Sequence, residues 1–153
     1  MNVEQAGKFR MALDIDPAVS DVIAGWRIPI GKAALEVRSL IFDTASRLPQ
    51  VGIVSEMLKW NQPAFLTTQT GSGTTLRMGE TRDGKKLGLY VHCQTTLIDT
   101  FRLHYPNQLE FEKKRAIILD PDISQIIEPL RHCIALALTY HSSKLSQNSR
   151  NFS

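Results

Sequence analysis

A chain of 153 residues with 42% hydrophobic and 22% charged residues has the length and composition of one globular domain, able to bury about 68–70% of its unfolded surface without disulfide or metal staples. Its formal charge of +3 and pI near 9.0, with no clustered basic stripe, argue against a nucleic-acid partner. No run approaches the ~18 apolar residues that span a bilayer, the first residues hold no apolar signal segment, and Cys93 and Cys133 form no Cys-x-x-Cys pair, which points to a reduced, cytoplasmic setting.

Asp16-Pro17 predicts a helix start, with Asp16 as cap and Pro17 in the first turn, where its missing N–H has no partner to lose. Gly25 and Pro29 should end that helix, and the chain should restart near Gly31. Over residues 32–48 the apolar positions Val37, Leu40, Ile41, Ala45 and Leu48 recur at helical spacing, with Glu36, Arg38 and Arg47 off the stripe. Pro49 and Gly52 close this helix, and a short helical turn is expected over 54–59. Pro63 pushes Gln62 out of the helical region and opens an extended run over 64–69. Gly71-Ser72-Gly73 reads as a turn.

Asp83-Gly84 lies between two alternating runs, 74–80 and 86–93, and predicts a hairpin on a primed turn. If those two residues are the turn centre, Leu76 faces Val91, Arg77 faces Tyr90 and Met78 faces Leu89. Leu76, Met78, Leu89 and Val91 then share one face, and Thr75, Arg77, Tyr90 and His92 the other.

Thr95 or Thr96 can cap a following helix through Leu97, Ile98, Phe101 and Leu103, which Pro106-Asn107 stops. Residues 109–111 and 115–119 read as two short strands. Asp120-Pro121-Asp122 repeats the cap-then-proline signal, and Ile123, Ile126, Ile127, Leu130, Ile134, Ala137 and Leu138 keep a helical stripe. Pro129 would break it at Glu128, leaving a short helix before and a longer one over 129–141. The expected organisation is an N-terminal helical extension (1–29), one domain (30–141) and a flexible Ser- and Asn-rich tail (142–153). The fold class is α+β: a curved, mainly antiparallel sheet packed against helices.

Chemistry-bearing residues are sparse. Arg77, Tyr90 and His92 on the polar face, with Trp60 upstream and Gly88 leaving room above the sheet, could line a pocket for an anionic or aromatic ligand; the plainer reading is a half-exposed face on which Arg77 stacks against Tyr90. His92-Cys93 and His132-Cys133 offer imidazole and thiol, but alternation turns Cys93 toward the aliphatic face and His92 away, and Cys133 borders the helical stripe while His132 lies off it. That pattern predicts buried, inert cysteines and no metal site. Carboxylates are scattered, Asp120 is assigned to capping, and no triad or phosphate loop can be assembled, so no catalytic residue and no cofactor are expected. Residues 112–115, Glu-Lys-Lys-Arg, read as a solvated turn.

The run Glu56-Met57-Leu58-Lys59-Trp60-Asn61-Gln62-Pro63-Ala64-Phe65 resembles the glutamate, Lys-Trp and proline-aromatic signature of the YdhG-like family. Leu76-Arg77-Met78-Gly79, Gly88-Leu89-Tyr90-Val91 and Ala137-Leu138-Thr139-Tyr140-His141 follow in the same order. The resemblance covers residues 30–141 and implies a small bacterial cytoplasmic α+β domain, some relatives being described as frataxin-like iron chaperones. Asn61 departs from the small residue, such as glycine, usual there, and a basic chain with scattered carboxylates departs from a dense acidic iron-binding surface. The leading expectation is a non-enzymatic protein that binds a small ligand or a partner through Trp60, Arg77, Gly88, Tyr90 and His92. The alternatives are an intracellular metal carrier and a homo-oligomeric module built on the apolar stretch 134–138.

Overall fold

The computed structural model describes residues 14–144. Asp16 caps the first helix, α1 (Pro17–Ala24), its Oδ1 accepting from the amides of Ala18 and Val19 at 2.9 and 3.1 Å. Val19 and Ile23 enter the same core as the rest of the chain, so α1 is built into the domain and no boundary falls at residue 29. Of the tail expected over 142–153, residues 142–144 are helical, with the Ser142 amide donating to Ser72 O at 3.0 Å, and 145–153 lie outside the described residues.

The second helix, α2 (Ile28–Ser46), starts earlier than the sequence predicts. Pro29 sits in its first turn, where a proline fits, so it opens this helix and does not close the previous one. Val37, Leu40, Ile41 and Ala45 are buried as their spacing requires. A 3-10 turn (Pro49–Val51) follows, and the expected helical turn over 54–59 is instead a strand, β1 (Ser55–Lys59). The reason is the turn after it: Trp60 and Asn61 both hold positive φ, 54° and 59°, and join β1 to β2 (Gln62–Leu66) in a two-residue hairpin with Lys59 opposite Gln62. Asn tolerates that conformation, whereas a bulky residue adopts it rarely.

Strands β3 (Leu76–Glu80) and β4 (Leu87–Tyr90) pair in the predicted register, Arg77 opposite Tyr90 and Met78 opposite Leu89, with Leu76, Met78, Leu89 and Val91 buried. Their connection differs from the primed turn expected. The amide of Thr81 donates to Lys86 O at 2.9 Å and that of Gly84 to Thr81 O at 2.8 Å, while Gly84 alone in this loop has positive φ, 69°. This longer loop and a two-residue turn share one centre, so the register is the same for both. Because β4 stops at Tyr90, Cys93 falls in the following turn and is exposed, not seated on the aliphatic face; Cys133 is buried.

Helix α3 (Leu97–His104) begins after Thr96, but no side-chain cap forms; Thr95 Oγ1 donates to His92 O at 2.7 Å instead. Strands β5 (Glu110–Glu112) and β6 (Ala116–Leu119) form the last hairpin. Asp120 does not cap a helix. It faces Lys86 Nζ at 3.4 Å, Asp122 accepts from the Ser124 amide, and residues 124–125 form only a turn. The last helix, α4 (Ile127–Leu138), starts with Pro129 in its first turn, which turns the predicted break into a helix start.

The six strands form one antiparallel, unclosed sheet in the order β1-β2-β3-β4-β6-β5, giving a single α+β domain. Core residues from the four helices of the described residues cover one face of it. Among the described residues no helix is long and apolar enough to cross a membrane. The loop over 72–74 lies against the end of α4: Thr74 N donates to Ala137 O at 3.0 Å, Ser72 Oγ to Leu138 O at 2.8 Å, and a Cβ on Gly73 would sit 2.4 Å from the Leu138 carbonyl. Ile134, Ala137 and Leu138 are thus buried inside the chain, while Ala135 and Leu136 of the same stretch are half-buried.

Arg38, expected off the apolar stripe, is buried with Glu56 beneath the sheet, their side chains only 5% and 4% exposed. Nε donates to Glu56 Oε2 at 2.5 Å and Nη2 to Oε1 at 3.0 Å, the Asp16 amide also donates to Oε1 at 2.9 Å, and the guanidinium lies 4.9 Å from the centre of the Phe42 ring. Removing one partner strands the other charge in the core. Arg38→Ala and Glu56→Ala should each lower the unfolding free energy by roughly 3–5 kcal/mol in urea titration, whereas the double change Arg38→Met with Glu56→Leu should recover most of the loss. Single variants within about 1 kcal/mol of wild type would contradict the role assigned to the pair.

Candidate functional site

No helix of the described residues packs on the second face of the sheet. Strand alternation places Gln62, Ala64, Arg77, Gly79, Gly88, Tyr90, Ala116, Ile118, Glu110 and Glu112 there. Two glycines, Gly79 and Gly88, face each other at its centre. The room they leave is filled from within: a Cβ on Gly88 would meet the Tyr90 ring at 2.6 Å, and one on Gly79 would meet Gln62 Nε2 at 2.6 Å. Gln62 is held in turn by Arg77, whose Nη1 donates to its Oε1 at 3.1 Å. Tyr90 is half-buried; loss of water raises its hydroxyl pKa, with Glu112 adding to that and Arg115 and Arg77 opposing it.

Beyond Tyr90, a groove of about 960 Å³ opens over β4, β6 and β5. Tyr90 and Ile118 give it apolar surface, and Lys86, Glu110, Glu112 and Arg115 charged walls, with the 81–83 loop at one end and Lys113 at the other. Lys86 bonds Glu110 at 2.9 Å, and Arg115 reaches Glu112 at 3.4 Å. Glu110 and Asp120 favour the charged form of Lys86.

Of the five residues singled out from sequence, Arg77, Gly88 and Tyr90 come together. Gly88 serves as the seat of the Tyr90 ring and does not open space for a ligand. Trp60 and His92 fall at opposite ends of the sheet. Trp60 occupies the β1–β2 turn, at the same end as the 81–86 loop, and is 87% exposed; His92 lies past the end of β4, exposed, with Nδ1 accepting from the Gln94 amide at 3.1 Å. The groove's second wall escaped the sequence reading because it depends on β6 pairing with β4, with Leu87 opposite Leu119, across a helix. The unbroken apolar run Ala116-Ile117-Ile118-Leu119 marks a strand but carries no sign of which strand it pairs with.

No protein-family model, curated protein or solved structure matches this chain. The geometry of residues 56–65 shows what that stretch does in this fold. Glu56 supplies the buried ion pair, Trp60-Asn61 the tight turn, with Asn61 at φ +59°, and Pro63 a place in β2 opposite Leu58.

A second polar cluster sits between α3 and α4. The Tyr105 hydroxyl lies 2.6 Å from His132 Nδ1, and the His104 and His132 rings are 5.0 Å apart. His132 borders a crevice of about 220 Å³ between α2 and α4, where Arg131 pairs with Asp43. Burial pushes the Cys133 thiol up to about 12, so it stays protonated. Among the described residues no three His, Cys, Asp or Glu side chains converge on a metal position.

Burial, with His104 adding in the same direction, lowers the His132 pKa from 6.5. The unfolded chain takes a proton near 6.5 and the folded chain only at lower pH, so stability is full above that value and declines as pH falls from it toward the lowered folded value. Urea midpoints across this range should drop in wild type and drop less in His132→Gln; equal declines would refute the assignment. Trp60→Gly should leave stability unchanged or raise it by roughly 0.5–1 kcal/mol, because the relieved left-handed strain outweighs glycine's added chain entropy. A large loss on thermal melting would mean the exposed ring carries packing after all.

Proposed function

We propose that this chain is a non-enzymatic binding protein whose site is the groove on the face of the sheet that none of the described helices covers. Tyr90 is its central contact, Arg77 holds the neighbouring side chains in place, and the β5–β6 hairpin forms its second wall. The observation that carries the reading is the groove of about 960 Å³ in which an aromatic ring and an aliphatic floor, Tyr90 and Ile118, meet a rim of charged side chains. That combination suits a ligand with planar or apolar surface and directional polar groups. The ring is fixed beforehand by its seat on Gly88, so binding need not order it. The YdhG-like resemblance is compatible with this reading but supplies architecture, through Glu56 and the Trp60–Asn61 turn, and no ligand chemistry. A metal carrier finds no cluster of donors to build on among the described residues.

Thermal unfolding against a panel of aromatic carboxylates and nucleotides tests the proposal. A true ligand at ten times its Kd should raise Tm by roughly 3–6 °C. Tyr90→Ala should abolish the shift and Arg77→Ala reduce it, while Trp60→Ala and His92→Ala, at the two ends of the sheet, should leave it in place. A shift that survives Tyr90→Ala, or a panel that moves wild type nowhere, would defeat this assignment.

A further inference from the structure

The groove's charges sort into those already satisfied within the chain and those that are not. Lys86 is bonded to Glu110 and Arg115 to Glu112, Glu80 accepts from the Arg27 amide at 3.3 Å, and Asp83 accepts from the Thr81 hydroxyl and the Lys85 amide at 2.7 and 3.0 Å. Two cations remain: the side chains of Arg82 and Lys113 make no hydrogen bond or ion pair among the described residues. Arg82 stands in the β3–β4 loop, and Lys113, with φ of +51°, in the β5–β6 turn.

These positions are the two ends of one groove. Lys85 is level with Arg82, because Thr81 bonds Lys86, and Val91 marks the other end, where its amide donates to Arg115 O. Six residue steps of strand separate them, or about 20 Å at ~3.3 Å per residue. Between them lie the apolar surface of Tyr90 and Ile118 and the carboxylates of Glu110 and Glu112 along one wall.

Resting on the binding role proposed above, we infer that the groove takes an extended acidic peptide segment lying along the strands. One of its carboxylates reaches Arg82, another reaches Lys113, and an apolar side chain between them covers Tyr90 and Ile118. A single-stranded nucleic acid fits the pattern less well, since a phosphate at every nucleotide would face Glu110 and Glu112; a peptide carries charge only where its acidic residues stand. In an extended peptide, residues two, four and six apart share a face, so carboxylates six positions apart span the groove with apolar side chains at the even positions between.

The test is fluorescence anisotropy with a labelled seven-residue peptide bearing glutamate at positions 1 and 7, phenylalanine at 3 and 5 and threonine elsewhere. The comparison ligands are the same peptide with terminal lysines and a short oligothymidylate. The acidic peptide should bind saturably and lose affinity as salt rises; Arg82→Glu and Lys113→Glu should each weaken it by roughly fivefold, and the double variant should abolish binding while its circular dichroism melt stays that of wild type. Tighter binding of the lysine peptide or the oligonucleotide, an unchanged Kd in both charge variants, or no acidic-peptide binding at all would overturn the inference. A Tyr90-dependent thermal shift by a small aromatic carboxylate in that last case would leave the binding reading standing without this ligand.

Discussion

The pairing of Arg38 with Glu56 is the constraint on which the rest of the molecule depends. Both charges are almost wholly removed from water, and neither could remain there ionised without the other. The pair fixes α2 against the edge strand β1, and the third hydrogen bond to Glu56, from the Asp16 amide, brings the start of α1 to the same point. Three elements from the first part of the chain therefore meet at one carboxylate. A looser arrangement would leave donors or acceptors unmatched in the core, so this contact favours one registration of helix on sheet over its near alternatives.

With α1 and α2 clamped to one face and α3 and α4 adding to the same layer, the four described helices lie on a single side of the sheet. The opposite side takes whatever its strands present. There, burial is achieved laterally, by Tyr90 lying over Gly88 and Gln62 over Gly79, and charge is balanced across strands, by Lys86 with Glu110 and Asp120. The open face is thus organised by side chains that pack on their own sheet, and this gives it a fixed shape before any partner arrives.

Features governed by local chemistry were legible in the sequence. The Asp16 cap, the stripe along α2 and the parity of β3 and β4 follow from residues within a few positions of one another, and parity survived a wrong turn type because both turns share a centre. What depends on distant partners was not legible. Arg38 reads as a surface residue until Glu56 is known to lie beneath it, and residues 54–59 offer a run too short to tell helix from strand. Pro17 and Pro29 both open helices, but only Pro17 follows a capping side chain, Asp16, so only its role is marked in the sequence. The Tyr90 half of the site was visible on one hairpin; the β5–β6 half needed the long-range β4–β6 pairing.

That division also explains the role of Gly88. On sequence grounds a glycine in a strand suggests a space reserved for a ligand, yet here its absent side chain is what allows the Tyr90 ring to lie flat on the sheet. The free surface is then displaced one strand over, toward Ile118 and the carboxylates of β5, and Tyr90 forms the border of the groove where Gly88 alone would have formed its floor. In the binding role proposed for this groove, a ligand would contact the exposed side of the Tyr90 ring and the ends of the charged rim. Selectivity on such a surface would come from the spacing of the charges left unpaired among the described residues, Arg82 and Lys113, since the central ions are committed to one another.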